Sequence, residues 1–336
     1  MKLSIVDMGV VQPGDNPGDT LKRSIKLAQQ AEAMDYERIW YSEHHAKHII
    51  SRVPEIMIAA VAAKTSKIRV GSGSVLLNHY SAYKVAETFS TLNEFYPNRI
   101  DLGIGRATTG PVIDFALQQD RSKGFQADSG NQLIELMHWM ENSFSPEVPF
   151  SKIPIHTIES RPEIHLSGTS AWSSSVAGHY GLRYIHAAFF NPDATRMVIE
   201  NYRANFVPSQ SIIGVSEPEA RLGIHVVCAD TEEEARIQLA SVELAYRYLR
   251  TGEYDFLLPP PDEAIKKLGY LPKIEPYLKG SGVPPRYIAG TFDQVAERMT
   301  NLSNDLKIDE FVIQDMMTDP EARLRSYELL GALIKH

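Results

Sequence analysis

Short apolar runs alternating with longer helix-periodic stretches predict an α/β protein, a (β/α)8 TIM barrel with insertions. Three observations carry that prediction. Eight strand-like runs recur along the chain, each followed by a stretch of helical periodicity, the pattern of βαβ units and a parallel sheet. Eight such units suit a closed barrel, whereas an open doubly wound sheet takes about six. Finally, 336 residues exceed the roughly 250 of a typical barrel. The excess gathers in three stretches after strand 4, before strand 5 and after helix 7, so residues 1–336 read as one domain with insertions.

The strands are read at Leu3–Gly9, Arg38–Glu43, Ile68–Leu77, Arg99–Gly105, Glu163–Ser167, Arg183–Ala188, Ala220–Ala229 and Glu310–Asp315. Helical periodicity covers Thr20–Met34, Pro54–Thr65, Ala82–Phe95, Gln126–Asn142, Ala171–Tyr180, Pro192–Phe206, Thr231–Leu249, Phe292–Leu302 and Pro320–Lys335. Local chemistry supports several boundaries. Thr291 and Gln294 have capping-box spacing, carboxylates from Asp230 to Glu234 suit a helix start, and Gly181 and Gly269 suit helix ends. The three extra stretches are Thr108–Phe125, Ser143–Pro162 and the Pro- and Gly-dense Thr251–Arg286, a length of irregular chain that often forms a lid.

Composition narrows the function. With 34 basic and 42 acidic residues, net charge −8, the chain lacks the basic character of a nucleic-acid binder, though one local cationic pocket for a phosphate remains open. Its single cysteine, Cys228, lies in an apolar run and allows neither a disulfide framework nor a cysteine zinc site. No apolar run approaches the ~18 residues of a membrane span, and the first residues enter a strand without a signal core. A cytoplasmic location is the expectation.

Barrel chemistry gathers at the C-terminal ends of strands. Strand two ends in Glu43-His44-His45, with His48 three residues on. An imidazole here suits acid/base work near neutral pH; Glu43, His44 and His48 also suit a divalent metal, and hydrogen-bonded structural roles are equally natural. Strand three carries Gly71, Gly73 and Ser74, where missing side chains mean either tight packing or clearance for a planar cofactor. Strand four ends Gly103-Ile104-Gly105-Arg106, a guanidinium placed to anchor a phosphate or to pair with a carboxylate. Strand five leads into Thr169-Ser170-Ala171-Trp172-Ser173, either a helix N-terminus able to bind phosphate or a plain serine cap. A nucleophile elbow and a dinucleotide fingerprint are both absent.

Taken in order, Trp40-Tyr41-Ser42-Glu43-His44-His45, Val70-Gly71-Ser72-Gly73, Asn78-His79, Val85-Ala86-Glu87 and Tyr96–Ala107 resemble the bacterial luciferase-like flavin monooxygenases. The resemblance implies a barrel that uses reduced FMN, supplied by a separate flavin reductase, together with O2 and a small organic substrate. His44 then matches a histidine that supports oxygen chemistry at the flavin and proton transfer. Arg106, Thr169, Ser170 and Ser173 match the FMN phosphate site, and Gly73-Ser74 matches a non-prolyl cis peptide beneath the isoalloxazine. Residues 251–286 correspond to a mobile lid, and helices 54–65 and 82–95 to a homodimer interface. Two departures stand out: Thr108-Thr109-Gly110-Pro111 after the strand-four arginine, and the bulky Trp172 in the phosphate turn. An F420-dependent oxidoreductase and a non-catalytic flavin-binding subunit share the resemblance as alternatives, and a metal-dependent hydrolase remains the metal reading of the strand-two cluster.

Overall fold

In the computed structural model, described for residues 1–11, 14–106, 110–118, 121, 129–153, 155, 160–253 and 256–335, parallel strands close into a barrel wrapped by helices. The wall runs in spatial order through β10 (Glu310–Gln314), β1 (Lys2–Asp7), β2 (Arg38–Tyr41), β3 (Arg69–Ser72), β5 (Ile100–Gly105), β6 (Glu163–Gly168), β7 (Arg183–Ala187) and β8 (Ala220–Cys228). Pairing of β10 with β8, Phe311 to Leu222 through Gln314 to His225, closes the ring. The expected (β/α)8 architecture is therefore observed.

Period-two alternation sorts each strand into two faces. Ile5, Ile39, Val70, Leu102, Ile164, Tyr184, Leu222 and Phe311 face the helices and join one large apolar core. Arg38, Trp40, Asp101, Gly103, His165, Arg221, Gly223 and Val312 alternate with them and fill the barrel interior. The outer helices include α1 (Pro17–Ala33), α2 (Pro54–Ala62), α3 (Ala82–Phe95), α5 (Ser129–Glu141), α6 (Ala171–His179), α7 (Thr195–Ala204), α10 (Phe292–Leu306) and α11 (Pro320–Gly331). The Thr291–Gln294 capping box forms, and Gly181 and Gly269 take left-handed backbone at helix ends.

Several expectations need correction. The third strand is broken: β3 ends at Ser72, a cis peptide joins Gly73 to Ser74, and β4 (Val75–Leu76) resumes pairing with β5. A strand missed in the sequence, β9 (Tyr287–Gly290), extends the sheet beside the upper half of β8. Its four residues are too short to stand out beside Pro284-Pro285. The stretch 108–125 contains the short helix α4 (Pro111–Leu117), and residues 149–152 form a 3-10 turn; residues 107–109, 119–120 and 122–128 lie outside the described residues.

The largest correction concerns α8 (Glu232–Arg250), which the sequence places as helix 7 at Thr231–Leu249 in the regular strand–helix alternation. Its Leu239, Val242, Ala245 and Tyr246 pack with Val6, Met8, Trp40, Ile185, Val312 and Met316, residues from the interior and upper end of the barrel. Ser241 Oγ bonds Thr318 Oγ1, just beyond β10, at 3.0 Å. The helix thus crosses the barrel mouth, and the wall position falls to α10, whose Val295, Met299 and Leu302 join the main core. Nor is 251–286 featureless: α9 (Pro261–Leu268) packs Ala264 and Leu268 against Ala240 and Leu244 of α8.

Candidate active site

The interior is built in layers. At the floor, Arg38 donates to Asp101 (2.7 Å) and Glu310 (2.8 Å), Arg69 to Asp101 (2.6 Å) and Arg221 to Glu310 (2.6 Å). These groups project from five strands on one face, as their register requires. Asp101 is held well below the usual carboxylate range: burial opposes ionisation, but the Arg38 and Arg69 guanidinia outweigh it. Asp101, Glu163 and His165 form the one compact trio of possible metal ligands among the described residues. Arginines already neutralise it, so it reads as structural.

Above the floor, small residues make room for one large ring. Trp40 donates its indole N–H to Asp101 at 2.8 Å. A side chain on Gly71 would meet Asp101 Cβ at 2.5 Å and Trp40 Cδ1 at 2.9 Å; one on Gly73 would meet Trp40 Cβ at 3.1 Å and Val6 Cγ2 at 3.2 Å. Packing therefore accounts for both glycines. Gly73 and Ser74 themselves are half-buried on the cis peptide.

At the C-terminal end of β2 the three adjacent residues divide their work. Glu43 is buried and accepts from Leu76 N (2.8 Å), Tyr80 Oη (2.6 Å) and, across 3.1 Å, from His45 Nε2. Its carboxylate ties the break in the third strand to β2. His45 is thereby engaged, whereas His44 keeps a buried Nδ1 with no hydrogen-bond partner among the described residues. Burial pushes the His44 pKa down to about 4 despite the opposing charge of Glu43, so the ring is neutral at pH 7. A neutral imidazole with a free nitrogen can accept a proton or orient a polar atom. His48 stacks its ring on Phe256 of the segment following α8, centroids 4.1 Å apart and planes 16° from parallel. With Glu43 committed and His48 stacked, the strand-two trio is not arranged as a metal site.

Arg106 leaves the end of β5 exposed, and among the described residues no hydrogen bond or ion pair reaches its guanidinium; Cζ lies 4.2 Å from the Trp172 ring centroid. The carboxylate-paired alternative is therefore not what the structure shows. Trp172 belongs to the first turn of α6, capped by Ser170. Ser170 and Ser173 form a reciprocal box, each hydroxyl 3.4 Å from the other's backbone nitrogen. Ser173 is buried and also donates to Ser170 O at 2.9 Å, so its side chain serves the turn. Thr169 is half-buried, and its carbonyl accepts from Asn191 Nδ2 at 3.3 Å. The structure thus brings Arg106, through Trp172, to the 169–173 turn, while His44 follows β2, which only β3 separates from β5 in the wall. The Arg106–Trp172 contact was not anticipated, although Trp172 was conspicuous as a bulky residue in a small-residue turn.

A barrel that, among its described residues, has an unpaired cation at a helix N-terminus, a neutral histidine with an unpartnered nitrogen and a cover of inserted helices belongs to the enzymes that work at the C-terminal face of a (β/α)8 fold. The chain belongs to the luciferase-like monooxygenase family, which it matches over residues 1–306. It is 34% identical to the N-acetyl-S-alkylcysteine monooxygenase of Bacillus subtilis over 98% of this chain and 97% of that one. It is 37% identical to apo-MsnO8, whose crystal structure superposes with a TM-score of 0.87 over 99% of this chain and 98% of that one. At 21% identity and a TM-score of 0.70, the oxygenating constituent of 3,6-diketocamphane monooxygenase from a Pseudomonas putida plasmid, solved in complex with FMN, shares the fold over 98% of this chain and 96% of its own. An F420-dependent secondary alcohol dehydrogenase shares it too, at 14% identity and a TM-score of 0.65 over 100% of this chain and 99% of its own. The protein is an oxidoreductase of the oxygen-incorporating class. Among the described residues no helix is long and apolar enough to cross a membrane.

Proposed function

We propose that this chain is an FMN-dependent monooxygenase of the two-component type, taking reduced FMN from a separate reductase and using O2 to oxidise a small organic substrate in the cytoplasm. The observation that carries the reading is Arg106: a guanidinium with no carboxylate partner among the described residues, set against the first turn of a nine-residue helix. A cation beside free helical amides suits a phosphate dianion. Arg106 and the turn formed by Thr169, Ser170 and Ser173 would hold that phosphate, the first-turn amides of Ala171 and Trp172 donating to it while the two serines keep each other's amides in the capping box, with Gly73-Ser74 beneath the ring system. Bound FMN supplies the oxygen-activating chemistry. His44, neutral and with a free Nδ1, accepts or positions a proton beside it. Residues 251–286 would serve as the lid that keeps water from the site, a role supported by α9 packing on α8.

A homodimer through α2 and α3 suits their exposed apolar side chains, Ile56 (65% exposed) and Phe95 (73%), beside a groove of about 540 Å³ lined by Ala59, Thr88 and Leu92. The test is anaerobic binding of reduced FMN, then admission of O2 with small thioethers, N-acetyl-S-alkylcysteines first because a relative bears that name. Reduced FMN should bind, and substrate oxidation should depend on O2. Failure to bind reduced FMN, or a preference for F420, overturns the reading. His44→Ala should retain flavin but lose turnover; unchanged turnover would favour a role without His44.

A further inference from the structure

We propose that Trp172 is a positioning residue for Arg106, holding its guanidinium ready for a terminal phosphate; this rests on the phosphate-site reading above. Arg106 follows directly on β5, which ends at Gly105, and it is exposed. A long arginine side chain at such a point ordinarily samples many rotamers and gives up that freedom on gripping a ligand. Here Cζ sits 4.2 Å from the centroid of the Trp172 ring. Tryptophan offers the strongest aromatic face for a cation, and a guanidinium over that face keeps its N–H edge free for a phosphate. Nothing else among the described residues draws on that edge.

The residue's address matters as much as its ring. Trp172 is the second residue of α6, after the Ser170 cap and Ala171. Its backbone amide is among the first-turn donors that lack an intrahelical partner, while Ser170 Oγ already serves Ser173 N. One residue therefore couples the two arms of the clamp: its main chain belongs to the helix N-terminus, and its ring fixes the cation. A small residue at this position would leave the helix end intact but the arginine unplaced. Preorganisation of this kind strengthens binding by removing an ordering cost.

The experiment compares reduced FMN with reduced riboflavin, which lacks the phosphate, by anaerobic ultrafiltration on the full-length protein. Trp172→Ala should weaken FMN binding roughly two- to five-fold, the size of an exposed cation–π contact, and leave riboflavin unchanged. Trp172→Phe, which keeps an aromatic face, should recover most of the loss. Equal weakening of both flavins, or no change in either, overturns the proposal, because a merely structural tryptophan does not distinguish them. Arg106→Ala separates the two levels of argument. It should cost FMN at least about tenfold relative to riboflavin. If that ratio stays at its wild-type value, the phosphate-site reading fails; if the ratio collapses while Trp172→Ala leaves it intact, only the positioning role fails.

Discussion

Replacing Asp101 with asparagine should destabilise the barrel severely while leaving the mouth chemically intact. Asp101 is fully buried and accepts from Arg38 (2.7 Å), Trp40 (2.8 Å) and Arg69 (2.8 and 2.6 Å). Asparagine keeps the shape, but it removes the charge and turns an amide toward guanidinium donors. Breaking a buried ion pair from one side costs about 3–5 kcal/mol, because the remaining charges stay desolvated. That is a large share of the roughly 5–15 kcal/mol that holds a domain together. For 336 residues, an unfolding entropy of about 2.1 cal/mol/K per residue gives close to 0.7 kcal/mol/K, so Tm should fall by about 4–7 °C. Urea unfolding and calorimetry on wild type and Asp101→Asn measure this. A loss under about 1 kcal/mol would refute the argument that the floor is an obligatory charge network. Flavin binding at a permissive temperature should be unchanged, since among the described residues no hydrogen bond or ion pair links Arg106 or α6 to Arg38, Arg69, Asp101, Arg221 or Glu310.

Acid should destabilise the fold between pH 6.5 and 4. Burial lowers the pKa of His48, His186 and His225 to about 4 each, so in that window the unfolded chain binds protons that the folded chain does not, and stability falls with pH. Each contributes on the order of 2 kcal/mol of loss by pH 5; equal urea midpoints at pH 7 and 5 would contradict this. Gly168→Ala should disrupt the phosphate turn, because its Cβ would fall 2.2 Å from the buried Ser173 Oγ; FMN affinity should drop with the loss of the capping box, and an unchanged affinity would show that the turn can give way. Ile56→Glu with Phe95→Glu should convert a dimer to monomer in light scattering, whereas a persistent dimer would place the interface elsewhere.

Much of the site was legible because its residues announce their chemistry locally. The Glu43-His44-His45 run and the arginine after Gly105 sit at strand ends that apolar periodicity locates without contacts. The same residue types did not reveal their partners. Glu43 looked as available for metal as for structure until Leu76, Tyr80 and His45 were seen to occupy it. Arg106 could equally have faced a carboxylate.

The sequence by itself determined the barrel, because strand and helix periods and eightfold alternation are properties of neighbouring residues along the chain. It also placed His44, Arg106 and the 169–173 turn at the working face. Tertiary structure alone decided the rest. The helix Glu232–Arg250 is amphipathic whether it lies on the wall or across the mouth, and only the match of Val242, Ala245 and Tyr246 to Val6, Trp40 and Met316 sends it over the top. The interior glycines are explained by an indole from another strand, and the orientation of Arg106 by a tryptophan 66 positions away. Those contacts arise only when the barrel closes, since the partners share no local pattern that periodicity or spacing can read.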